Sequence, residues 1–90
     1  MEEKSLYPFM DRGLLKSGNL FDDNLKSGIY CVNQDQAPCV NRPNNELYGV
    51  YVVEKTTYDY TKVSFMSVTS GNLYISYRSQ FSWLDWKKIV

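Results

Sequence analysis

KVSFMSVTSGNLYISYR, residues 62–78, is the stretch that decides the predicted fold. It divides into two strands, residues 62–69 and 73–78, joined by a Ser-Gly-Asn turn. Glycine and asparagine tolerate the positive φ that short hairpin loops require. Along the second strand, Leu73 and Ile75 alternate with more polar neighbours, which is the period of two typical of a half-buried strand. We therefore predict a β-hairpin here, with Leu73 and Ile75 facing the core.

Three further strands are predicted around this hairpin, over residues 29–32, 48–55 and 86–89. The strand at 48–55 is apolar on both faces, so either both faces are covered or one of them meets another chain. The strand at 62–69 changes face between Phe65 and Met66, as a β-bulge would make it do.

The predicted fold class is mainly β: a small antiparallel sheet of about four or five strands, with one or two short helical turns near the N-terminus. The helical turns are expected at residues 15–18 and 25–28, two Leu-Lys-Ser-Gly copies whose glycine suits the left-handed position after a helix. Asp22 or Asp23 would cap the second turn. The predicted structural core consists of Ile29, Val50, Val52, Phe65, Leu73, Ile75 and Trp86.

Residues 1–18 are predicted to be an N-terminal arm, and residues 19–90 the β domain. Pro8 and Gly13 interrupt any long helix in the arm. Its apolar residues are candidates for assembly: Leu6, Tyr7, Phe9 and Met10. The arm would dock onto this domain, a neighbour or a larger assembly, or would be a loosely packed lead-in.

Size and charge exclude several classes of protein. A chain of 90 residues makes one small domain whose stability is marginal without help from a disulfide, a metal or a partner. Ten basic and ten acidic residues cancel, which argues against nucleic acid or an anionic membrane as a partner. No apolar run is long enough for membrane insertion, and the N-terminus does not resemble a signal peptide. We therefore expect synthesis in the cytosol, with any export by a route that the sequence does not encode.

The residues needed for common catalytic sites are missing. The chain has no histidine, which excludes Ser-His-Asp and Cys-His arrangements, and no glycine-rich phosphate loop precedes a helix. Cys31 and Cys39 do not complete a zinc site. They would form a disulfide only in an oxidising compartment, and we favour two free thiols, with Cys31 as a small buried hydrophobe. The sequence predicts a non-enzymatic protein without cofactor or metal.

The aromatic content, 16% of the residues, is the abnormal quantity. Four aromatic residues within predicted strands are assigned to packing: Tyr30, Tyr51, Tyr74 and Trp86. Tyr58, Tyr60 and Trp83 lie in predicted connections among polar residues. Tyrosine offers a flat apolar face with a polar tip, which suits sugar stacking and protein interfaces. With Arg78, which could hydrogen-bond to hydroxyls or carboxylates, these three are the candidate ligand-binding residues.

Several short motifs follow a familiar order. An Asn-Leu turn runs into a Gly-Ile-Tyr strand at residues 24–30, and an Ala-Pro loop follows at 37–38. The strand YGVYVV comes at 48–53, and the chain closes with LYISYR at 73–78 and a Trp-x-x-Trp-Lys pattern at 83–88. Taken together, these segments resemble the pyocin knob-like domains of bacteriophage tail fibres. The resemblance covers residues 19–90. A longer loop at 39–46 and the first eighteen residues depart from it.

The resemblance implies a setting. Such knobs are modules of long fibres, usually trimeric, that meet the host surface or space other modules. It therefore implies a virion protein that forms a homotrimer, contacts other virion proteins through the N-terminal arm, and binds a host cell-surface glycan or protein. One alternative is a purely structural attachment protein of a virion without a host ligand. Another is a small carbohydrate-binding module of a secreted enzyme.

Overall fold

The computed structural model describes residues 10–56, 60–79 and 82–90. The described residues form one six-stranded sheet in the order β1-β2-β3-β4-β5-β6. The strands are β1 (Asp11–Leu14), β2 (Gly28–Asn33), β3 (Tyr48–Lys55), β4 (Thr61–Ser67), β5 (Leu73–Arg78) and β6 (Lys87–Lys88). β1 runs parallel to β2, and every later neighbour is antiparallel. The prediction of a mainly β fold built on a small sheet is confirmed, with six strands in place of four or five.

The predicted hairpin is β4 and β5. β4 ends at Ser67 because the chain turns there: the Gly71 amide donates to the Ser67 carbonyl at 2.9 Å, and the Ser67 amide donates to the Asn72 carbonyl at 2.9 Å. Gly71 has a φ of 80°, the left-handed conformation expected for this turn. The Ser67 hydroxyl accepts from the amides of Thr69 and Ser70 and holds the turn from inside.

The predicted β-bulge in β4 is wrong. Thr61 to Met66 pair in unbroken register with both neighbouring strands. Val63 and Phe65 are buried while Lys62 and Met66 are exposed, so the strand alternates regularly and Met66 simply points away from the core. The irregularity in the sheet lies in β1, between Asp11 and Gly13.

The sheet has one covered face and one open face. The covered face carries the buried residues Tyr30, Val32, Tyr51, Val53, Val63, Phe65 and Tyr74. The centre of the open face consists of Ile29, Cys31, Val50, Val52, Ser64, Met66, Leu73 and Ile75, and Glu54, Lys62 and Tyr77 lie at one end of it; all of these residues are half-buried or exposed.

The predicted core is therefore correct at Phe65 and needs correction elsewhere. Five predicted core residues lie half-buried on the open face: Ile29, Val50, Val52, Leu73 and Ile75. Alternation reveals two faces but does not say which of them is covered. The tyrosines lie on the covered face, where their hydroxyl groups are hydrogen-bonded. Tyr30 donates to the Lys26 carbonyl and Tyr51 to the Leu20 carbonyl. The assignment of Tyr30, Tyr51 and Tyr74 to packing is confirmed.

Loops and the C-terminal segment cover the core. Leu15 and Leu20 are buried against it. Phe21 stacks on Trp83 and Trp86, with ring centroids 4.8 and 5.4 Å away. Half-buried Trp86, a predicted core residue, packs against the core and presents its ring edge-on to Tyr51 and Phe65, and its Nε1–H donates to the Asn41 carbonyl at 2.7 Å.

The start of the described chain belongs to the same domain. The Ile29 amide donates to the Met10 carbonyl and the Leu15 amide to the Cys31 carbonyl, both at 2.8 Å. Residues 10–18, expected in a separate arm, therefore supply an edge strand and a core residue. Leu6, Tyr7 and Phe9 lie outside the described residues.

The short helical turns expected near the N-terminus are not helical. Residues 15–18 and 25–28 adopt bends and extended structure, and Asp22 instead opens a turn in which its Oδ1 accepts from the Asn24 amide at 2.8 Å. In the described ranges, helix is limited to the 3₁₀ turn Pro43–Asn45. No helix there is long and apolar enough to span a membrane.

Both cysteines are free thiols, as favoured from the sequence, but the prediction that Cys31 is buried is wrong. Cys39 is buried under the covering loops, and burial raises the pKa of its thiol, although Arg42 opposes the shift. Cys31 is exposed, because its place in β2 points it to the open face.

Glu46 ties the β2–β3 loop to the β4–β5 hairpin. Its carboxylate accepts hydrogen bonds from the hydroxyl groups of Ser67 at 2.8 Å, Ser70 at 3.0 Å and Tyr74 at 2.8 Å. Burial acts to raise the pKa of this carboxyl group, but the hydrogen bonds outweigh it and lower the pKa below its usual value.

We expect Glu46→Gln to lower the free energy of unfolding at neutral pH by about 1 kcal/mol, a charge-assisted hydrogen-bond value discounted for partial exposure. Because the folded-state pKa is lowered, this contribution is present above the unfolded-state pKa and is lost as the pH falls through the folded-state pKa. Urea denaturation of both proteins from neutral to strongly acidic pH measures it. Glu54→Gln is the control, since Glu54 pairs with Lys62 at the surface. A Glu46→Gln difference that stayed constant with pH would contradict the assignment.

Candidate functional site

The candidate residues gather at the end of β5. After β5 the chain folds back, and Trp83 forms an isolated antiparallel bridge with Arg78. The Leu84 amide donates to the Tyr77 carbonyl at 3.0 Å, and the Ser76 hydroxyl donates to the Leu84 carbonyl at 2.5 Å. These contacts place two of the predicted ligand-binding residues, Arg78 and Trp83, side by side.

Asp23 joins those two residues. Its Oδ1 accepts a hydrogen bond from Trp83 Nε1–H at 2.9 Å and lies 2.9 Å from Arg78 Nε. Lys55 Nζ donates to the backbone carbonyl of Asp23 at 2.6 Å. We call Asp23, Arg78 and Trp83 the Asp23 cluster. It fastens the loop after β1 to the end of β5 and to the C-terminal segment.

Trp83 packs against the fold and exposes only part of its ring to solvent. Its ring is half-buried and stacks on Phe21 with an interplanar angle of 12°. Because its Nε1–H is already bonded to Asp23, the indole offers a ligand only the remaining part of its surface. The prediction that Trp83 binds a ligand stays a prediction, and the geometry gives it a structural role as well.

A second feature, the Tyr60 cleft, lies beside the cluster. It is a shallow hollow of about 540 Å³. Its lining comes from the ends of β3, β4 and β5 and consists of Glu54, Thr56, Tyr60, Thr61, Lys62, Tyr77, Arg78 and Ser79. Tyr60 and Tyr77 are the exposed aromatics here, with about half of their surface in solvent (55% and 52%).

The chemistry of the Tyr60 cleft suits binding. Tyrosine rings offer flat apolar faces, and their hydroxyl groups can donate or accept. Glu54 and Lys62 form an ion pair at 3.4 Å within the lining, so the carboxylate there is already compensated. Apolar walls with a few polar groups are what a sugar ring or a peptide side chain requires.

The structure brings together some of the predicted site residues and separates others. Tyr60 and Arg78 share the Tyr60 cleft, and Arg78 and Trp83 share the Asp23 cluster. Tyr58 lies outside the described residues.

Sequence reasoning missed two members of this region. Tyr77 was given no role in the site but lines the Tyr60 cleft as an exposed ring, and Asp22 or Asp23 was expected to cap a helical turn. Asp23 lies 60 residues before Trp83, and no local pattern signals so distant a contact.

Two buried phenols, those of Tyr30 and Tyr51, serve the fold. Burial raises the pKa of the Tyr51 phenol far above its usual value, and it raises that of Tyr30 as well. Both hydroxyls donate to backbone carbonyls, so they act as structural donors. Among residues 10–56, 60–79 and 82–90, no group of three or more Cys, Asp or Glu residues lies close enough to hold a metal ion.

No known family model matches the chain, and no curated protein or solved structure is significantly similar to it.

Proposed function

We propose that this protein is a non-enzymatic structural module of a bacteriophage virion fibre and that it takes part in recognising the host surface. The observation that carries the recognition part is the Tyr60 cleft, where two exposed tyrosine rings flank charged groups at the ends of three paired strands. The resemblance of residues 19–90 to pyocin knob-like domains supports the virion setting. The ligand in this proposal is a host cell-surface glycan or protein.

The location of the cleft supports this role. Strand ends in a hydrogen-bonded sheet hold side chains in a fixed arrangement, which limits the entropy lost when a ligand binds. Arg78 is also held by Asp23, so its guanidinium is positioned before any ligand arrives. A preorganised, partly aromatic cleft is suited to a sugar or to a loop of a surface protein.

Replacing Tyr60 with alanine should weaken binding to the host surface at least about tenfold, because ring-stacking and its buried area are lost. Tyr60→Phe should keep most of the affinity. The probes are envelope preparations from a panel of bacteria and an immobilised array of bacterial surface glycans. Tyr48→Ala is the control, since Tyr48 lies at the other end of β3 and its hydroxyl donates to Asp35 at 2.5 Å. Unchanged binding by a folded Tyr60→Ala protein would reject the Tyr60 cleft as the recognition site.

A purely structural virion role is the second candidate. It is favoured by the Asp23 cluster, in which Trp83 and Arg78 are used to fasten the fold. In this case no envelope or glycan in the panel would bind, and the protein would associate only with virion proteins. Free-sugar binding by an isolated monomer would instead support a small carbohydrate-binding module. The expected homotrimer is tested by the molar mass from light scattering, where a mass that reaches three chains supports the fibre proposal.

A further inference from the structure

We propose that the open face is the surface through which copies of this chain associate. The face spans β2 to β5, the four central strands of the sheet, and no described element is layered over it as the loops are over the opposite face. Met66 near its middle has 44% of its surface exposed. The sheet thus offers a neighbour a broad flat surface that its own described residues leave uncovered.

The centre of the open face is apolar and uncharged. Val50 pairs with both Cys31 and Met66 across the sheet, and Val52 pairs with Ile29. Ser64 contributes a hydroxyl group between Val52 and Ile75. Contiguous apolar patches on a soluble domain indicate an interaction site.

The face also has relief that two copies could match. A shallow hollow of about 500 Å³ lies across β2 and β3, with Cys31, Val50 and Val68 in its lining. Met66 stands directly beside Val50 as an exposed, flexible side chain. In a pair of facing copies, Met66 of one copy can enter the hollow of the other. Methionine adapts well to such irregular apolar spaces.

Charge is compatible with an identical chain as the partner and disfavours nucleic acid and anionic membranes. The charged residues at one end of the face, Glu54 and Lys62, already compensate each other, and the whole chain has a net charge of +0. Net charge therefore does not oppose the approach of two copies. Nucleic acid and anionic membranes are attracted by a surplus of cations, which this chain does not have. A glycan needs converging polar groups, whereas the centre of the face is aliphatic.

The size of the face is that of a weak interface. Four strands at a spacing of about 4.8 Å, with six residues each at about 3.4 Å, give roughly 400 Å² in projection per copy. This is at the lower end for a specific interface even after the rim is added, so we expect a Kd on the order of micromolar. Two such faces can stack as a sandwich, and three can close around a threefold axis, so the surface is compatible with the homotrimer in the proposed function.

The first experiment compares the molar mass of the wild-type full chain and of Met66→Lys by light scattering over about 1 µM to 1 mM. The wild type should change from one chain to two or three as its concentration rises. Met66→Lys should stay monomeric over the whole range, because it places a charge in the centre of the interface at a site that is exposed in the monomer. Val40→Lys is the matched control, because Val40 is exposed in the loop layer on the opposite side of the sheet. The Val40→Lys protein should associate like the wild type. A wild type that stays monomeric, or a Met66→Lys that associates normally, would overturn the proposal.

A second experiment reads the face directly through Cys31. Its thiol should react with a soluble aromatic disulfide at least about fivefold more slowly in the associated wild type than in the dilute protein, because the interface excludes the reagent. Met66→Lys should show no such dependence on concentration, and buried Cys39 is the internal reference. Slow reaction at every concentration would mean that the chain covers its own face, which would overturn the proposal.

This inference relies on the proposed function only for the association of identical copies. Loss of concentration dependence rejects the interface, whereas loss of envelope binding in Tyr60→Ala concerns the recognition proposal alone.

Discussion

Replacing Phe65 with alanine should lower the free energy of unfolding by about 4 kcal/mol, because a large side chain is lost and a cavity is left. Phe65 has 0% of its surface exposed. Its ring lies 6.4 Å from that of Trp86 and 6.5 Å from that of Tyr74, so it joins the covering layer to the sheet. A domain of this size has roughly 5–10 kcal/mol in total, so much of the variant should unfold in mild urea. Urea titration followed by tryptophan fluorescence and circular dichroism measures the change.

Met66→Ala is the control on the opposite face for this prediction. It removes half as many side-chain heavy atoms as Phe65→Ala, from the next residue in β4, and it removes them from the open face, where Met66 is exposed. We expect a loss under about 1 kcal/mol. Similar losses for both substitutions would contradict the assignment of the covered face. Because β4 alternates regularly, Phe65 and Met66 lie on opposite faces of the sheet, and only Phe65 is buried.

The hairpin illustrates what the sequence could predict. The bounds of β3 and β5 are those predicted from pattern, residues 48–55 and 73–78. Alternation along β5 and a turn of small, flexible residues are local properties of the sequence, and they determine the local backbone conformation.

β1 was not predicted, because four residues containing a glycine carry no periodic signal. Its place depends on backbone hydrogen bonds to β2, far along the chain.

The choice of the covered face could not be predicted from period alone. Both faces of β3 are apolar: Tyr51 and Val53 point to one side, and Val50 and Val52 to the other. The decision depends on what lies above each face. The covering layer places Trp86, which stacks on Phe21, against Tyr51, and Leu20 in that layer provides the carbonyl that accepts from the Tyr51 hydroxyl group. These contacts join segments far apart in sequence.

The candidate site was predictable to a similar extent. The sequence left open whether Tyr60, which lies in a connection among polar residues, is exposed or buried; the structure shows it exposed. Arg78 was expected near the exposed aromatics because it ends a strand beside them, and it does line the Tyr60 cleft. The exposure of Trp83 was left open in the same way, and here Phe21 and Asp23 hold the ring against the fold. A tryptophan in a polar connection can serve either purpose, and only the tertiary contact distinguishes them.

Gly49→Ala should be nearly as damaging as the loss of the Phe65 ring, with a decrease of about 3 kcal/mol in the free energy of unfolding from overpacking. A Cβ atom at Gly49 would lie 2.5 Å from Phe65 Cζ and 2.6 Å from the Met66 carbonyl oxygen. The residue is needed for its lack of a side chain rather than for an unusual φ, because the Phe65 ring lies over it. Thermal and urea unfolding of the purified variant measure the loss.

Gly71→Ala separates this steric effect from backbone strain. Gly71 has a φ of 80°, and a Cβ atom at this position would have no other atom within 4 Å. Alanine there should therefore lower the free energy of unfolding by only about 1 kcal/mol, through conformational strain. If Gly71→Ala cost as much as Gly49→Ala, overpacking would not be the special feature of Gly49.

A double substitution tests which neighbour resists the added methyl group. Phe65→Leu shortens the side chain above Gly49 and removes the ring edge that the new Cβ would meet, but the Met66 carbonyl remains at 2.6 Å. Gly49→Ala combined with Phe65→Leu should therefore be about 1 kcal/mol more stable than the sum of the two single losses. Fully additive losses would place the whole cost on the β4 backbone. Complete rescue would place it on the ring, in which case Gly49 and Phe65 would act as one packing unit that fixes where β3 and β4 meet the covering layer.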